Sequence, residues 1–183
     1  QAIDPNWLAI TFDDGYRNVY EEAFPQLKQK GWPFTVFVNP NMVKPSNLYM
    51  DWAQLKELTL HQGTIANHTL AHENMVSDGL SIQELEQNLL DAESKIEQEL
   101  GQSVRILAYP YGEYTPAIQQ WIKTNGYIAF SQQSGAVGLA TDLTSVPRFP
   151  ASKPYDKLAS LRDKLNSLPF NMMLDNENAE TIF

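Results

Sequence analysis

A chain of 183 residues that is 43% hydrophobic and 11% aromatic can bury a sizeable core and is too apolar for global disorder. Its formal charge of −9 argues against nucleic acid as a partner, because phosphate binding needs a basic footprint. Cysteine is absent, which excludes disulfides and thiolate metal sites, and no apolar run approaches the ~20 residues that span a bilayer.

The opening residues, Gln1-Ala2-Ile3-Asp4-Pro5, are neither an initiator methionine nor a signal peptide and read as a processed chain or an excised fragment. Leu8-Ala9-Ile10-Thr11-Phe12 then reads as a buried parallel strand that ends abruptly in Asp13, Asp14 and Gly15. A carboxylate pair at the carboxyl end of such a strand sits where α/β sheets place their chemistry, and Gly15 permits the sharp turn that follows. A helix over Tyr20 to Lys30 ends at Gly31, with Pro25 marking a kink or a late start. Phe34 to Val38 is a second buried strand, closed by Asn39-Pro40.

Asp51-x-x-Gln54 predicts a capping box and a helix to about His61. Thr64 to Asn67 is a short strand running straight into His68. Ser81-x-x-Glu84 opens the longest helix, with Leu85, Leu89, Ala92, Ile96 and Leu100 on one face and Gly101 after it. Val104 to Ala108 is a fourth strand, Thr115 to Asn125 a helix, Tyr127 to Ser131 a fifth strand, and Ser145 to Arg148 a brief extended segment. Tyr155 to Leu165 reads as a last helix and the acidic stretch Asp175 to Glu180 as a frayed tail. Regular alternation of strand and helix, without repeats or long linkers, predicts a parallel sheet, doubly wound or closed as a barrel.

Two of the three histidines form His68-Thr69-Leu70-Ala71-His72, a spacing that puts both imidazoles on one face if the segment makes a helical turn. Two imidazoles and one carboxylate make a divalent site with room for water and substrate. The third, His61, late in a helix, packs or faces solvent.

Thr11-Phe12-Asp13-Asp14-Gly15, His68 to His72 and Tyr109-Pro110-Tyr111-Gly112 resemble, in order, the first three motifs of the polysaccharide deacetylase family, also called the NodB-homology domain or carbohydrate esterase family 4. The resemblance implies a distorted (β/α)7 TIM-like α/β barrel, incomplete at its N-terminal side, with residues 1–183 a deacetylase domain cut from a longer chain. It implies that Asp14, His68 and His72 bind one divalent ion, Zn2+ first with Co2+ or Ni2+ as alternatives, that Asp13 is the general base, and that the Tyr111 backbone N–H helps hold the oxyanion. Such an ion lowers the pKa of a water and polarises an acetyl carbonyl while the base accepts the proton.

Two positions depart from the family pattern. Ala108 stands where an arginine usually orients the base, and Arg148 in Val146-Pro147-Arg148-Phe149 is the candidate substitute. No histidine follows His72 to serve as the general acid. Ala108 to Tyr114 instead resembles the subgroup that de-N-acetylates poly-β-1,6-N-acetylglucosamine, in which the acid motif is permuted upstream of the first motif. Tyr16, Tyr109, Pro110 and Tyr114 are the candidate glycan contacts. The expected activity is release of acetate from N-acetylglucosamine polymers outside the cytoplasm, with a polysaccharide or oligosaccharide as substrate. The alternatives are an acetyl-ester hydrolase on a glycan such as xylan, or a non-catalytic glycan-binding module that keeps the metal site.

Overall fold

Strand–helix alternation builds one parallel sheet in the computed structural model, which describes residues 7–151 and 157–166. The strands are β1 (Ile10–Phe12), β2 (Phe34–Val38), β3 (Gly63–Asn67), β4 (Ile106–Ala108) and β5 (Ile128–Phe130), hydrogen-bonded in sequence order 1-2-3-4-5. The helices are α1 (Phe24–Lys30), α2 (Trp52–Thr59), α3 (Ile82–Leu100), α4 (Pro116–Thr124) and α5 (Leu158–Asn166). A parallel sheet wound in one direction sends its right-handed crossovers to one face, so the other face is covered only if the sheet curls. It does curl, into a half-barrel. Val146 bridges Phe130 beyond the β5 edge, yet Arg148, two residues on, reaches Thr11 and Asp13 at the opposite edge. The described residues supply five of the seven strands that the resemblance implies.

Period-two alternation sorts the strand side chains. Phe34, Val36 and Val38 of β2 join Ile65, Leu55, Leu58 and Phe24 beneath α1 and α2. Leu107 and Ala129 pack with Leu85, Leu89, Ile118 and Ile122 beneath α3 and α4. The intervening residues Phe37, Ala66 and Ala108 form a third cluster on the concave face, with Ile106 and Phe130 against it. Capping sets the helix starts: Asp51 with Gln54 and Ser81 with Glu84 form reciprocal capping boxes, and the Thr115 side chain accepts from the Ile118 N–H.

Several expectations change. The first strand is only three residues long and half-buried, and Leu8, placed in a buried strand by its apolar neighbours, is 70% exposed. It precedes the ladder on β1, which pairs with β2 alone among the described residues and so lacks cover. The helix expected over Tyr20 to Lys30 splits into a π-helical turn, Val19–Ala23, and α1, with Pro25 in the first turn of α1 where no N–H is needed. The fourth strand begins at Ile106 rather than Val104. The last helix begins at Leu158; residues 152–156 and the acidic tail lie outside the described residues.

Candidate active site

The carboxyl ends of β1, β2, β3 and β4 converge on one cleft of about 430 Å³, lined among others by Asp14, Tyr16, Asn39, His72 and Tyr111. At the end of β1 the chain turns through two left-handed residues, Asp14 (φ 68°) and Gly15 (φ 66°). A Cβ on Gly15 would stand 3.2 Å from Val38 Cγ1. This turn sends the two adjacent carboxylates to different partners. Both Asp13 oxygens meet Arg148, Nη1 to Oδ1 at 2.7 Å and Nη2 to Oδ2 at 2.8 Å, a bidentate contact. The guanidinium is held in place by Ser131 O at 3.0 Å and Thr11 Oγ1 at 3.2 Å, and lies over the Phe37 and Phe130 rings.

Asp14 turns instead to the histidines: its Oδ1 lies 3.3 Å from Nε2 of His68 and 3.3 Å from Nε2 of His72. His68 is buried, and its Nδ1 meets the Ala108 carbonyl oxygen at 2.7 Å. A carbonyl can only accept, so Nδ1 carries a proton and Nε2 is the nitrogen that faces the Asp14 carboxylate oxygen. A nitrogen and a carboxylate oxygen at that distance are bridged by a proton or a cation. Ligand bonds of ~2.0–2.1 Å in tetrahedral geometry set donor atoms about 3.3 Å apart, so the trio fits a zinc-sized divalent ion. Burial pushes the Asp14 carboxyl up, but the hydrogen bond from His68 and the charges of both imidazoles outweigh it and leave its pKa lowered. Burial, reinforced by His68, lowers that of His72. Both shifts favour the metal-binding forms of these two groups, a carboxylate and a neutral imidazole.

The histidines are not brought together by a helical turn. Residues 68–72 are irregular, with Thr69 (φ 66°) and His72 (φ 65°) left-handed. Among the described residues five non-glycine positions have positive φ, and four of them (Asp14, Thr69, His72 and Tyr111) lie at this cleft. Backbone conformations of this kind cost of order 1–3 kcal/mol each and persist where the surroundings enforce them.

Tyr111 (φ 60°) projects its ring from the turn after β4, 54% exposed and 4.6 Å from the His72 ring centre. Gly112 holds that turn against the chain after β5: a Cβ there would sit 2.6 Å from Gln132 Cβ and 2.8 Å from Gln132 N. Tyr16 stacks on Tyr49 at 5.4 Å, and both line the cleft.

The remaining aromatic expectations need correction. Tyr109 and Pro110 are buried; the Tyr109 hydroxyl donates to Thr144 O, and its ring stacks on a partly buried Tyr114 at 4.6 Å. Tyr109 and Pro110 brace the Tyr111 turn from below, out of reach of a glycan, because β4 alternation turns Tyr109 to the helix side. His61 packs on Phe24 in the turn after α2, at the amino ends of the strands and away from the cleft. Reading the sequence missed Asn39, Met42 and Asn88; asparagines beside prolines or within helices signal turns and caps, and nothing in their spacing marks a site.

The family pattern described as polysaccharide deacetylase matches residues 2–130. YxkH of Bacillus subtilis (strain 168), whose name places it among polysaccharide deacetylases, is 30% identical over 120 residues, covering 66% of this chain and 42% of that protein. The chain thus spans about two fifths of this curated relative. IcaB from Ammonifex degensii superposes with a TM-score of 0.71 at 26% identity, over 87% of this chain and 72% of that one. The Streptococcus pyogenes deacetylase PplD, solved in complex with acetate, gives 0.70 at 24% identity over 75% and 61%.

Proposed function

Since the chain belongs to the polysaccharide deacetylase family, we propose that it is a metal-dependent de-N-acetylase that releases acetate from N-acetylglucosamine polymers. The observation that carries this reading is the division of labour between neighbours: Asp14 joins the two imidazoles, while Asp13 is held apart by Arg148. Asp14, His68 and His72 would hold the ion, which supplies a water of lowered pKa and polarises the acetyl carbonyl.

The chain's own groups do the rest. Asp13 is the general base that accepts the proton of the attacking water. Arg148 occupies one lone pair of each Asp13 oxygen, leaving the others free, and fixes the carboxylate plane. The Tyr111 backbone N–H donates to the oxygen that gains charge as water adds to the acetyl carbon. The C–N bond then breaks, acetate leaves, and the sugar nitrogen takes up a proton. Tyr16, backed by Tyr49, and Tyr111 offer aromatic walls for the sugar. The likeness of Ala108 to Tyr114 to the poly-β-1,6-N-acetylglucosamine subgroup favours that polymer and an extracytoplasmic site of action.

Protonating the amine needs an acid, and none of the three histidines is placed to provide it: His68 and His72 face Asp14, and His61 packs at the far end of the strands. The proton donor is then a group other than these three imidazoles. The same observation favours a second reading, acetyl-ester hydrolysis, because an alkoxide leaves with less help. Acetate release from an N-acetylglucosamine oligomer and from an O-acetylated xylan oligomer, each with zinc-loaded protein, separates the two. Zinc binding with no acetate from either substrate would leave only a glycan-binding module.

A further inference from the structure

The loop that carries both histidines has no regular hydrogen-bonding pattern, yet its amides are almost fully satisfied. His68 N–H donates to Val38 O at 3.0 Å, continuing the β2–β3 ladder by one residue. Beyond it, side chains replace the ladder. Thr69 N–H donates to Asn67 Oδ1 at 2.8 Å, Leu70 N–H to Asn88 Oδ1 at 2.9 Å, Ala71 N–H to Glu73 Oε2 at 2.9 Å and Glu73 N–H to Thr69 Oγ1 at 3.1 Å. The loop carbonyls are engaged as well. Asn39 Nδ2 donates to His68 O and, at 3.3 Å, to Thr69 O, and Leu70 O accepts from Asn41 N–H at 2.9 Å.

Three asparagines from three separate elements converge here. Asn39 follows β2, Asn67 ends β3, and Asn88 lies on α3, where Asn67 Nδ2 is itself tied to Leu89 O at 2.8 Å. Asn39 and Asn67 are each 1% exposed, so neither amide has water to fall back on. An amide carries an acceptor and a donor on one short arm, and Asn67 uses both, toward Thr69 N–H and Leu89 O. The bonds go to the residues at and between the two histidines, including left-handed Thr69, a conformation that needs enforcement from outside.

We infer that Asn39, Asn67 and Asn88 are positioning residues that hold the His68–His72 loop in its metal-binding shape before any ion arrives. The inference rests on the metal-site reading above and extends it to a preformed site. Asn88 is the member to test, because it sits on a capped 19-residue helix that does not depend on its side chain. Asn88→Ala removes the acceptor for Leu70 N–H; Asn88→Asp keeps one.

The measurements are zinc affinity by competition with a chromophoric chelator, and hydrogen exchange of the zinc-free protein. In Asn88→Ala, zinc should bind about 10–100-fold more weakly, the range typical of groups that orient metal ligands. Exchange at Leu70 should quicken by about tenfold or more, while Val36 in β2 keeps its protection. Asn88→Asp should restore only part of both, because its charge faces Glu73, whose carboxylate Asn88 also hydrogen-bonds. Wild-type zinc affinity in Asn88→Ala, or unchanged exchange at Leu70, would overturn the inference while leaving the metal site intact. A wild-type protein that takes up no zinc would overturn the metal reading and this inference together.

Discussion

The two halves of the sheet are joined very differently from the strands within them. Between β2 and β3 the register runs through five residue pairs, and β1–β2 and β4–β5 each have three; β3 and β4 share only Asn67 with Leu107. That pair is at the cleft end. At the other end the two strands part around a second hollow of about 180 Å³, lined by Gly63, Thr64 and Ile65 on one side and Ser103 and Val104 on the other. Each half has its own core. The N-terminal half supplies Asp13, Asp14, His68 and His72; the C-terminal half supplies the Tyr111 turn and Arg148. Turnover should therefore need both halves, while zinc affinity should depend on the second only through Asn88 and the Ala108 carbonyl, which brace the histidine loop.

The sharpest way to break that division is at the paired aspartates. Asp14→Asn should abolish tight zinc binding and turnover together, whereas Asp13→Asn should keep zinc and lose ~10²–10⁴-fold in kcat, the usual worth of a general base. Zinc titration and acetate release on both variants check this, and an exchange of the two phenotypes would reverse the roles.

Across the seam, Arg148→Lys should lower kcat by about 10-fold or more with zinc affinity unchanged, since one ammonium cannot make both contacts to Asp13. Weaker zinc binding in that variant would show that the halves are not separable. Gly112→Ala should act similarly through shape. With φ at 71° and a Cβ 2.6 Å from Gln132, it should cost about 1–3 kcal/mol and move the Tyr111 turn. Thermal unfolding and KM measure it, and wild-type values in both would refute the crowding.

Acid sharpens the metal side. The pKa of His72 is depressed below its ordinary 6.5, so the unfolded chain takes up a proton before the folded one does. Its contribution to stability is full above about pH 6.5 and is lost as pH falls from there through the folded value; for Asp14 the same loss begins near its ordinary 3.8. Zinc affinity should be level from pH 8 to 6.5 and decline below, whereas a rise on acidification would contradict the shift. The smallest effect belongs to Leu8→Ser, within about 0.5 kcal/mol because Leu8 is exposed. Leu58→Ala in the same half should cost about 2–5 kcal/mol by chemical denaturation.

Much of this was legible because strand ends and helix starts carry local signals. Asp13-Asp14-Gly15, His68 and Tyr109-Pro110 all fall at strand termini, and both capping boxes form where their residue types stand. The placement of Arg148 was legible too, since one short extended segment after the fifth strand has few ways to meet β1 in a curled sheet. The loop geometry was not. An i, i+4 histidine pair suggests a helix, whereas side chains that follow β2, end β3 and stand on α3 hold residues 68–70, with Thr69 left-handed. Tyr109 was misread for a related reason: its motif marks the site, but strand parity turns its ring into the core.

The contact between Arg148 and Asp13 joins residues 135 positions apart. All three candidate metal ligands are present once the chain has been made as far as His72, and the β1–β2–β3 ladder that carries them uses only sequence-adjacent strands. Asp13 has to wait for residue 148, after β4, β5 and every connection between them. Contacts of such separation form late, because the entropy of closing the intervening loops must be overcome first. During synthesis or refolding, the three candidate ligands are therefore made first, their braces Asn88 and the Ala108 carbonyl next, and the Arg148 contact to Asp13 last.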